Sequence, residues 1–404
     1  MKILILLAIV TGNTLSYQDM STSGHQNDIK ALSTACNKFA ISVYKSLPSS
    51  TDSNIITSPL SLHIVLSLLS NGAGGFTLDE LKSALYHNDT IAINNEFKIL
   101  ALLLNNIENI ELHIANKIYI QDGFDLMTEF LTICTNIFQS SISRLDFKDK
   151  AVASKAINLW IEKATNNKIF NVVSSDDLDD DTRVMIINAI YFKSKWLHPF
   201  DKANTEKRKF HVSKTEVNLI PTMFKKSKYA YGEIPTWHTS FIEIPYVNQD
   251  IVMIILLPER QIDLQDLENN FDWEMLVDTP RLIEEVALYL PKFKFEVTIK
   301  LKEVLQKIGL NTMFGDNADF TRLSNIPLKV NHVLQKVFIE VNEEGSEAAA
   351  ATVVEMRIKR MAIIPMEFVV DRPFLFVIEH KPTRVPLFLG SVRKIEYFHE
   401  KDEL

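Results

Sequence analysis

The stretch Val184 to Phe192, VMIINAIYF, is nearly all apolar. A strand with one wet face alternates in polarity. One without alternation demands a sheet covered on both sides. The chain can supply such a cover, because 46% of its 404 residues are hydrophobic. Around this strand the periodicity is mixed. Ile29 to Ser46, Pro59 to Leu69, Thr77 to Leu85, Ala151 to Lys163 and Ile299 to Lys307 read as helices. The run at Pro59 follows Ser58 and is stopped by Asn71, Gly72, Gly74 and Gly75. Leu112 to Gln121, Phe210 to Val212, Ala230 to Glu233, Ser240 to Pro245, Ile251 to Leu257, Val286 to Lys294, His332 to Val341, Phe374 to Ile378 and Pro386 to Val392 read as strands. No strict βαβ alternation, repeat or linker appears, so the pattern predicts a single α+β domain.

The segment Glu343 to Met361, EEGSEAAAATVVEMRIKRM, has a different character. From Ser346 to Ile358 charges fall only at the odd positions Glu347, Glu355 and Arg357. The even positions Ser346, Ala348, Ala350, Thr352, Val354, Met356 and Ile358 carry none. That period of two suits a strand buried on one side. Helix propensity competes over Ser346 to Ala351, with Ser346 as N-cap, and β-branched Thr352 and Val353 oppose its continuation. A segment compatible with both states predicts a loop that changes conformation.

EVNEEGSEAAAAT, Glu340 to Thr352, resembles the reactive-loop hinge of an inhibitory serpin. Asn54 to Gly75 is similar to the serpin helix beneath the main sheet, Val184 to Asp201 to the block around that sheet, and PLFLGSV to the family's C-terminal signature. The resemblance implies about nine helices around three β-sheets, an exposed loop near 342–370 and a central sheet that accepts it. It makes Glu343, Gly345, Ser346, Glu347, Ala348, Ala349, Ala350, Ala351 and Thr352 the hinge. It implies a polar cluster of Ser58, Ser61, Asn188 and His332 where the central strands part. It also implies an ion pair of Lys292 with Glu343 at the top of that sheet, near Trp196. Each residue taken singly has a plainer role, with Ser58 capping a helix and His332 a satisfied core residue.

Arg357-Ile358-Lys359-Arg360 falls where the serpin loop presents its scissile bond, and R-x-K-R suits furin-like proprotein convertases. Acidic subsites would bind Arg357, Lys359 and Arg360 through charge-assisted hydrogen bonds. Counting from Gly345 places the cut after Lys359. The Arg-Met-Ala run and the distance to Arg372-Pro373 favour the Arg360–Met361 bond. In basic site, loop length and C-terminal tail the chain resembles insect serpins directed at furin and retained in the endoplasmic reticulum. The expected partner is thus a serine protease held covalently by a monomeric inhibitor. Trypsin-like targets, a non-inhibitory chaperone role and a mere convertase substrate are the alternatives.

Met1 to Ser16 reads as a signal peptide, with Lys2 ahead of the apolar run Ile3 to Val10. That run is too short to span a membrane. The single domain is then 17–404. Lys401-Asp402-Glu403-Leu404 matches the retrieval signal read by the KDEL receptor, so residence in the secretory pathway is expected. Asn88-Asp89-Thr90 is a glycosylation sequon. Cys36 and Cys134 are too few for a disulfide framework, and buried free thiols are the simpler expectation over a bridge. The net charge of −8 gives no reason to expect nucleic-acid binding. The ten histidines show no HExxH spacing, and no P-loop, GxGxxG or GxSxG is present, so neither metal, cofactor nor enzyme is indicated. The acidic run Asp176 to Asp181 reads as a solvated turn, and Lys207 to Lys209 and Lys225 to Lys228 as surface.

Overall fold

The computed structural model describes residues 29–48, 53–346 and 366–395. The leader at 1–16, the loop residues Glu347 to Thr352, Arg357, Lys359, Arg360 and Met361, and the tail Lys401 to Leu404 lie outside them.

Strand β4, Val184–Lys195, is the spine of a six-stranded sheet. It lies between β2, Ile110–Gln121, which is antiparallel to it, and β11, Val330–Val341, which is parallel. Beyond these run β3, Ser141–Leu145, on one edge and β10, Phe293–Lys300, on the other. The nearly continuous apolar run of β4 now has its explanation. Val184, Ile186, Ile190 and Phe192 enter the main core, while Met185, Ile187, Ala189 and Tyr191 enter a second core. The main core holds α2, Pro59–Gly72; the second is closed by α6, Lys150–Ala164. Pro59 is the first residue of α2, and of the following apolar residues all but the partly buried Ile64 are buried, as befits a helix under a sheet.

The remaining helices are α1, Lys30–Ser46; α3, Gly75–Ala84; α4, Thr90–Asn105; α5, Thr128–Asn136; α7, Leu264–Asn270; α8, Trp273–Asp278; and α9, Lys302–Lys307. With these the described residues contain nine α-helices, as the α+β serpin resemblance implied. The other strands are β1, Ile55–Thr57; β5, Glu206–His211; β6, Val217–Ile234; β7, Thr239–Pro245; β8, Ile251–Pro258; β9, Leu282–Pro291; β12, Gly345–Ser346; β13, Met366–Val369; β14, Phe374–His380; and β15, Val385–Val392. The second and third expected sheets form one hydrogen-bonded network of nine strands, in the order β1-β15-β14-β8-β7-β6-β9-β13 with β5 on β6. The 18-residue β6 joins them, because one end pairs with β5 and β9 and the other with β7.

Some boundaries differ from expectation. The strand expected over Val286 to Lys294 divides at Lys292 into β9 and β10, and the helix expected from Ile299 begins at Lys302. Phe293, Phe295, Val297 and Ile299 alternate with exposed residues, and pairing with β11 holds that stretch as strand. Ala230 to Glu233 is only one end of β6. Cys36 and Cys134 are both buried and free. Burial pushes their thiols up, Cys134 to about 12.

Candidate functional site: the seam between β4 and β11

Strands β4 and β11 pair in parallel from Val184 and Val330 up to Tyr191 and Phe338. Above that point their pairing ends, and β12 pairs antiparallel with the upper end of β4, Gly345 opposite Lys195 and Ser346 opposite Ser194. The chain therefore leaves β11, turns at Asn342 to Gly345, and starts back down beside β4. Asn342 N–H donates to Gly345 O at 2.9 Å, and Gly345 N–H to Asn342 O at 3.3 Å. Gly345 has φ +149°, and a Cβ there would lie 2.0 Å from Ser194 O. Only glycine fits so close to the neighbouring backbone.

Both glutamates of the turn are anchored. Glu343 Oε2 lies 3.0 Å from Lys292 Nζ, and Thr205 Oγ1 donates to Oε1 at 2.8 Å. Burial pushes the Glu343 carboxyl up, but its own backbone N–H, Thr205 and Lys292 outweigh burial and hold it below the ordinary range. Glu344 Oε1 lies 3.1 Å from Lys202 Nζ. Trp196 is buried beside them; its Nε1 donates to Asn342 O at 2.9 Å, and its backbone N–H to Glu344 O at 2.9 Å. Its ring stacks on Tyr246 at 4.5 Å, whose hydroxyl meets Ser346 Oγ at 2.9 Å. Lys292, Trp196, Glu343, Gly345 and Ser346 thus converge. Lys202, Thr205 and Tyr246 complete the group without a sequence signal, since each arrives from a distant loop.

Lower on the seam lies a buried polar cluster. Gln335 Nε2 donates to Asn188 Oδ1 at 2.7 Å and to Ser58 O at 2.9 Å. Gln335 Oε1 accepts from Thr57 Oγ1 at 2.7 Å and Ser58 N–H at 3.0 Å. Asn188 Nδ2 donates to Ser61 Oγ and to Asn116 Oδ1. Ser58 takes part through its backbone, because its Oγ is buried with no hydrogen-bond partner and does not cap α2. Ser58, Ser61 and Asn188 were anticipated; Asn116 and Thr57 were not.

His332 requires a correction. It is not in this cluster; Gln335 takes the expected place. Residues 332 and 335 are an odd number apart on β11, so their side chains face opposite sides of the sheet. His332 stands on the α6 side near the base of the seam, its Nε2 4.0 Å from Asp179 Oδ2. The overlooked signal was polarity on the apolar register: Val333, Gln335, Val337, Ile339 and Val341 point into the core, with glutamine alone polar.

Asn88 is exposed, immediately before Asp89, which caps α4 by accepting from Ile91 and Ala92 N–H. Among the described residues no group of acidic, His or Cys side chains is arranged to hold a metal ion, and no helix is long and apolar enough to cross a membrane.

The middle pair of strands thus stops pairing at one end of the sheet, and β12 is turned in beside β4 there. The family model described as Serpin (serine protease inhibitor) matches residues 34–395, and the chain belongs to that family. It is 37% identical to antichymotrypsin-2 of Bombyx mori over 81% of this chain and 86% of that one. It is 34% identical to serpin B6 of Pongo abelii over 89% and 98%. Serpin48 of the insect Tenebrio molitor superposes with a TM-score of 0.83 at 33% identity, over 94% of this chain and 100% of the other.

Proposed function

We propose that this chain is a suicide inhibitor of serine proteases that cut after basic residues, with furin-like convertases of the secretory pathway as the target class. The observation that carries the reading is the pairing of Gly345 and Ser346 with Lys195 and Ser194, because it has the direction and register of a strand about to be added. Each further loop residue would pair one residue lower on β4. Thr352 would then lie between Asn188 and Gln335, and Met356 would lie opposite Val184. In that register the charge-free even positions face the main core and Glu347, Glu355 and Arg357 face the α6 side.

The chemistry is that of an interrupted hydrolysis. The protease serine attacks the Arg360 carbonyl, the amine of Met361 leaves, and an acyl-enzyme forms. Release of the loop from its far end lets it enter the seam. Roughly a dozen backbone hydrogen bonds at about 0.5–1.5 kcal/mol each give a gain of order 10 kcal/mol. Burial of Val354 and Met356 adds to it. The tethered protease is carried toward the base of the sheet, where a displacement of about 1 Å among catalytic groups can slow deacylation about 100-fold.

Relatives named antitrypsin and antichymotrypsin-2, both of Bombyx mori, support inhibition. The R-I-K-R sequence supports the basic specificity, and the leader and the Lys401–Leu404 tail support retention through the KDEL receptor. The test is incubation of the purified protein with furin and with trypsin, followed by a denaturing gel and mass spectrometry of the released peptide. A covalent band with a peptide beginning at Met361 is expected. Fragments alone would make the chain a substrate, and no cleavage at all would favour a chaperone-type role.

A further inference from the structure

Two glutamates are buried on one face of the nine-stranded sheet. Glu243 on β7 lies opposite Ile254 on β8, and Ile254 lies opposite Val377 on β14; Glu379 follows two residues further along the same face. Both are buried, Glu379 completely. Their partners are unequal. Each Glu243 oxygen has a cation: Arg281 Nε donates to Oε1 at 2.9 Å and Lys381 Nζ to Oε2 at 3.1 Å. Glu379 has Arg384 alone, whose Nη1 donates to Oε1 at 3.0 Å from a side chain that is 37% exposed. Glu379 Oε2 is buried without a hydrogen-bond partner among the described residues.

The cluster joins distant parts of the chain. Arg281 Nη1 donates to Val277 O at 2.8 Å and so ties the end of α8 to β7. Lys381 N–H donates to Asp250 O at 2.7 Å and ties the β14–β15 turn to the hairpin between β7 and β8. That hairpin carries Tyr246 to Ser346.

We propose that Glu379 is the proton-accepting member of this pair, and that acid neutralises it and firms the junction of β7, β14 and the end of α8. Asymmetry carries the reading. Two carboxylates in one buried patch with unequal partners divide into one that stays charged and one that takes a proton. An ionised carboxylate with an unmatched buried oxygen is costly. A proton on Oε2 removes that charge while Oε1 still accepts from Arg384. Burial accordingly pushes the Glu379 carboxyl up, and Arg384 and Arg281 pull it down without cancelling burial and the neighbouring Glu243. Burial pushes Glu243 up as well, but Arg281 and Lys381 outweigh it and hold that carboxyl below its ordinary range. The other titratable groups nearby are engaged elsewhere. His380, pushed down to about 4 by burial, meets Thr383 Oγ1 at 2.8 Å. Glu268 of α7, which packs on β14, is held by Tyr44 and Arg393.

Glu379 in the folded chain is thus raised above its unfolded value of about 4.3. Its contribution to stability is fully present below that pH and is lost as pH rises through the folded value. Acidification therefore strengthens this junction, the opposite sign to Glu343. Protease trapping plays no part in this device, and its failure would leave the inhibitory reading untouched.

The test uses the full chain and its Glu379→Gln, Glu243→Gln and Arg384→Gln variants, with melting temperatures at pH 8 and pH 4. Glu379→Gln should raise Tm by about 1–2 °C at pH 8 and leave it unchanged at pH 4. Glu243→Gln should lower Tm at pH 8. A carboxyl carbon-13 titration of glutamate-labelled protein reads the proton directly. The resonance missing from Glu379→Gln should titrate above about pH 4.3, and higher still in Arg384→Gln. Arg384 is partly exposed, so the resonance that moves in Arg384→Gln identifies Glu379 even if Glu379→Gln does not fold. A fall in Tm on Glu379→Gln at pH 8, an unchanged Tm at both pH values, or titration at or below about pH 4.3 overturns the proposal.

Discussion

Gln335 Nε2 and Asn188 Oδ1 lie 2.7 Å apart and join β11 to β4 in the middle of the six-stranded sheet. The bond is not isolated. The same carboxamide also holds Ser58 at both backbone groups and the Thr57 hydroxyl, so the first turn of α2 is tied to the seam. Parting the strands would break these bonds, and an added strand would restore them only by supplying a polar group at that level. Thr352 is the one residue between Ser346 and Ile358 on the core-facing register that can do so.

Replacing Gln335 by leucine leaves Thr57 Oγ1, Ser58 N–H and Asn188 Oδ1 without their partner. A loss of about 1–3 kcal/mol in stability of the uncleaved protein is expected, read as a lowered urea midpoint with unchanged slope. His332→Leu, on the opposite face, should cost clearly less. Equal losses would mean that the cluster is not centred on Gln335.

Gly345→Ala places a methyl group against Ser194 O at a φ that disfavours any side chain. The first pair of the added strand should be disrupted, at a cost of about 1–3 kcal/mol. The expected sign is a substrate-like shift, with more cleaved inhibitor per mole of trapped protease. An unchanged stoichiometry would show that the β12 pairing does not prime insertion.

Ala350→Arg tests the later part of the same path. In the register of β12 this position meets Ile190, which is wholly buried. Burying an unpaired guanidinium there costs several kcal/mol, a large share of a gain of order 10 kcal/mol. Cleavage at Arg360 should continue while the SDS-stable complex disappears. Persistence of that complex would rule out insertion as the trap.

Glu343 gives a pH signature. Its carboxyl is held below the ordinary value of about 4.3 in the folded chain, so its contribution is fully present above that pH and is lost as pH falls through the folded value. Glu343→Gln should therefore lower Tm near pH 7 and have progressively less effect below about pH 4. A loss of the same size at pH 7 and pH 3 would show that the Lys292 contact contributes nothing through charge.

Much of this molecule was legible in one dimension because local rules dominate there. The nearly all-apolar run Val184 to Phe192 required cover on both faces, and α2 and α6 supply it. Pro59 and the glycines after Asn71 bounded α2 through backbone geometry alone. The even–odd division of Ser346 to Ile358 fixed which face of that segment, as a strand, is charge-free. Other features depend on which strands become neighbours. His332 and Gln335 are both polar residues in one alternating run, and only the pairing of β11 with β4 decides that glutamine meets Asn188 while histidine faces the α6 side near Asp179. Lys202, Thr205 and Tyr246 reach the hinge from segments about a hundred or more residues away, and no local pattern encodes such a meeting. The sequence by itself set the periodicities and the chemistry each segment carries. Tertiary structure chose the partners, because a buried hydrogen bond or ion pair is defined by two surfaces and a one-dimensional pattern describes one at a time.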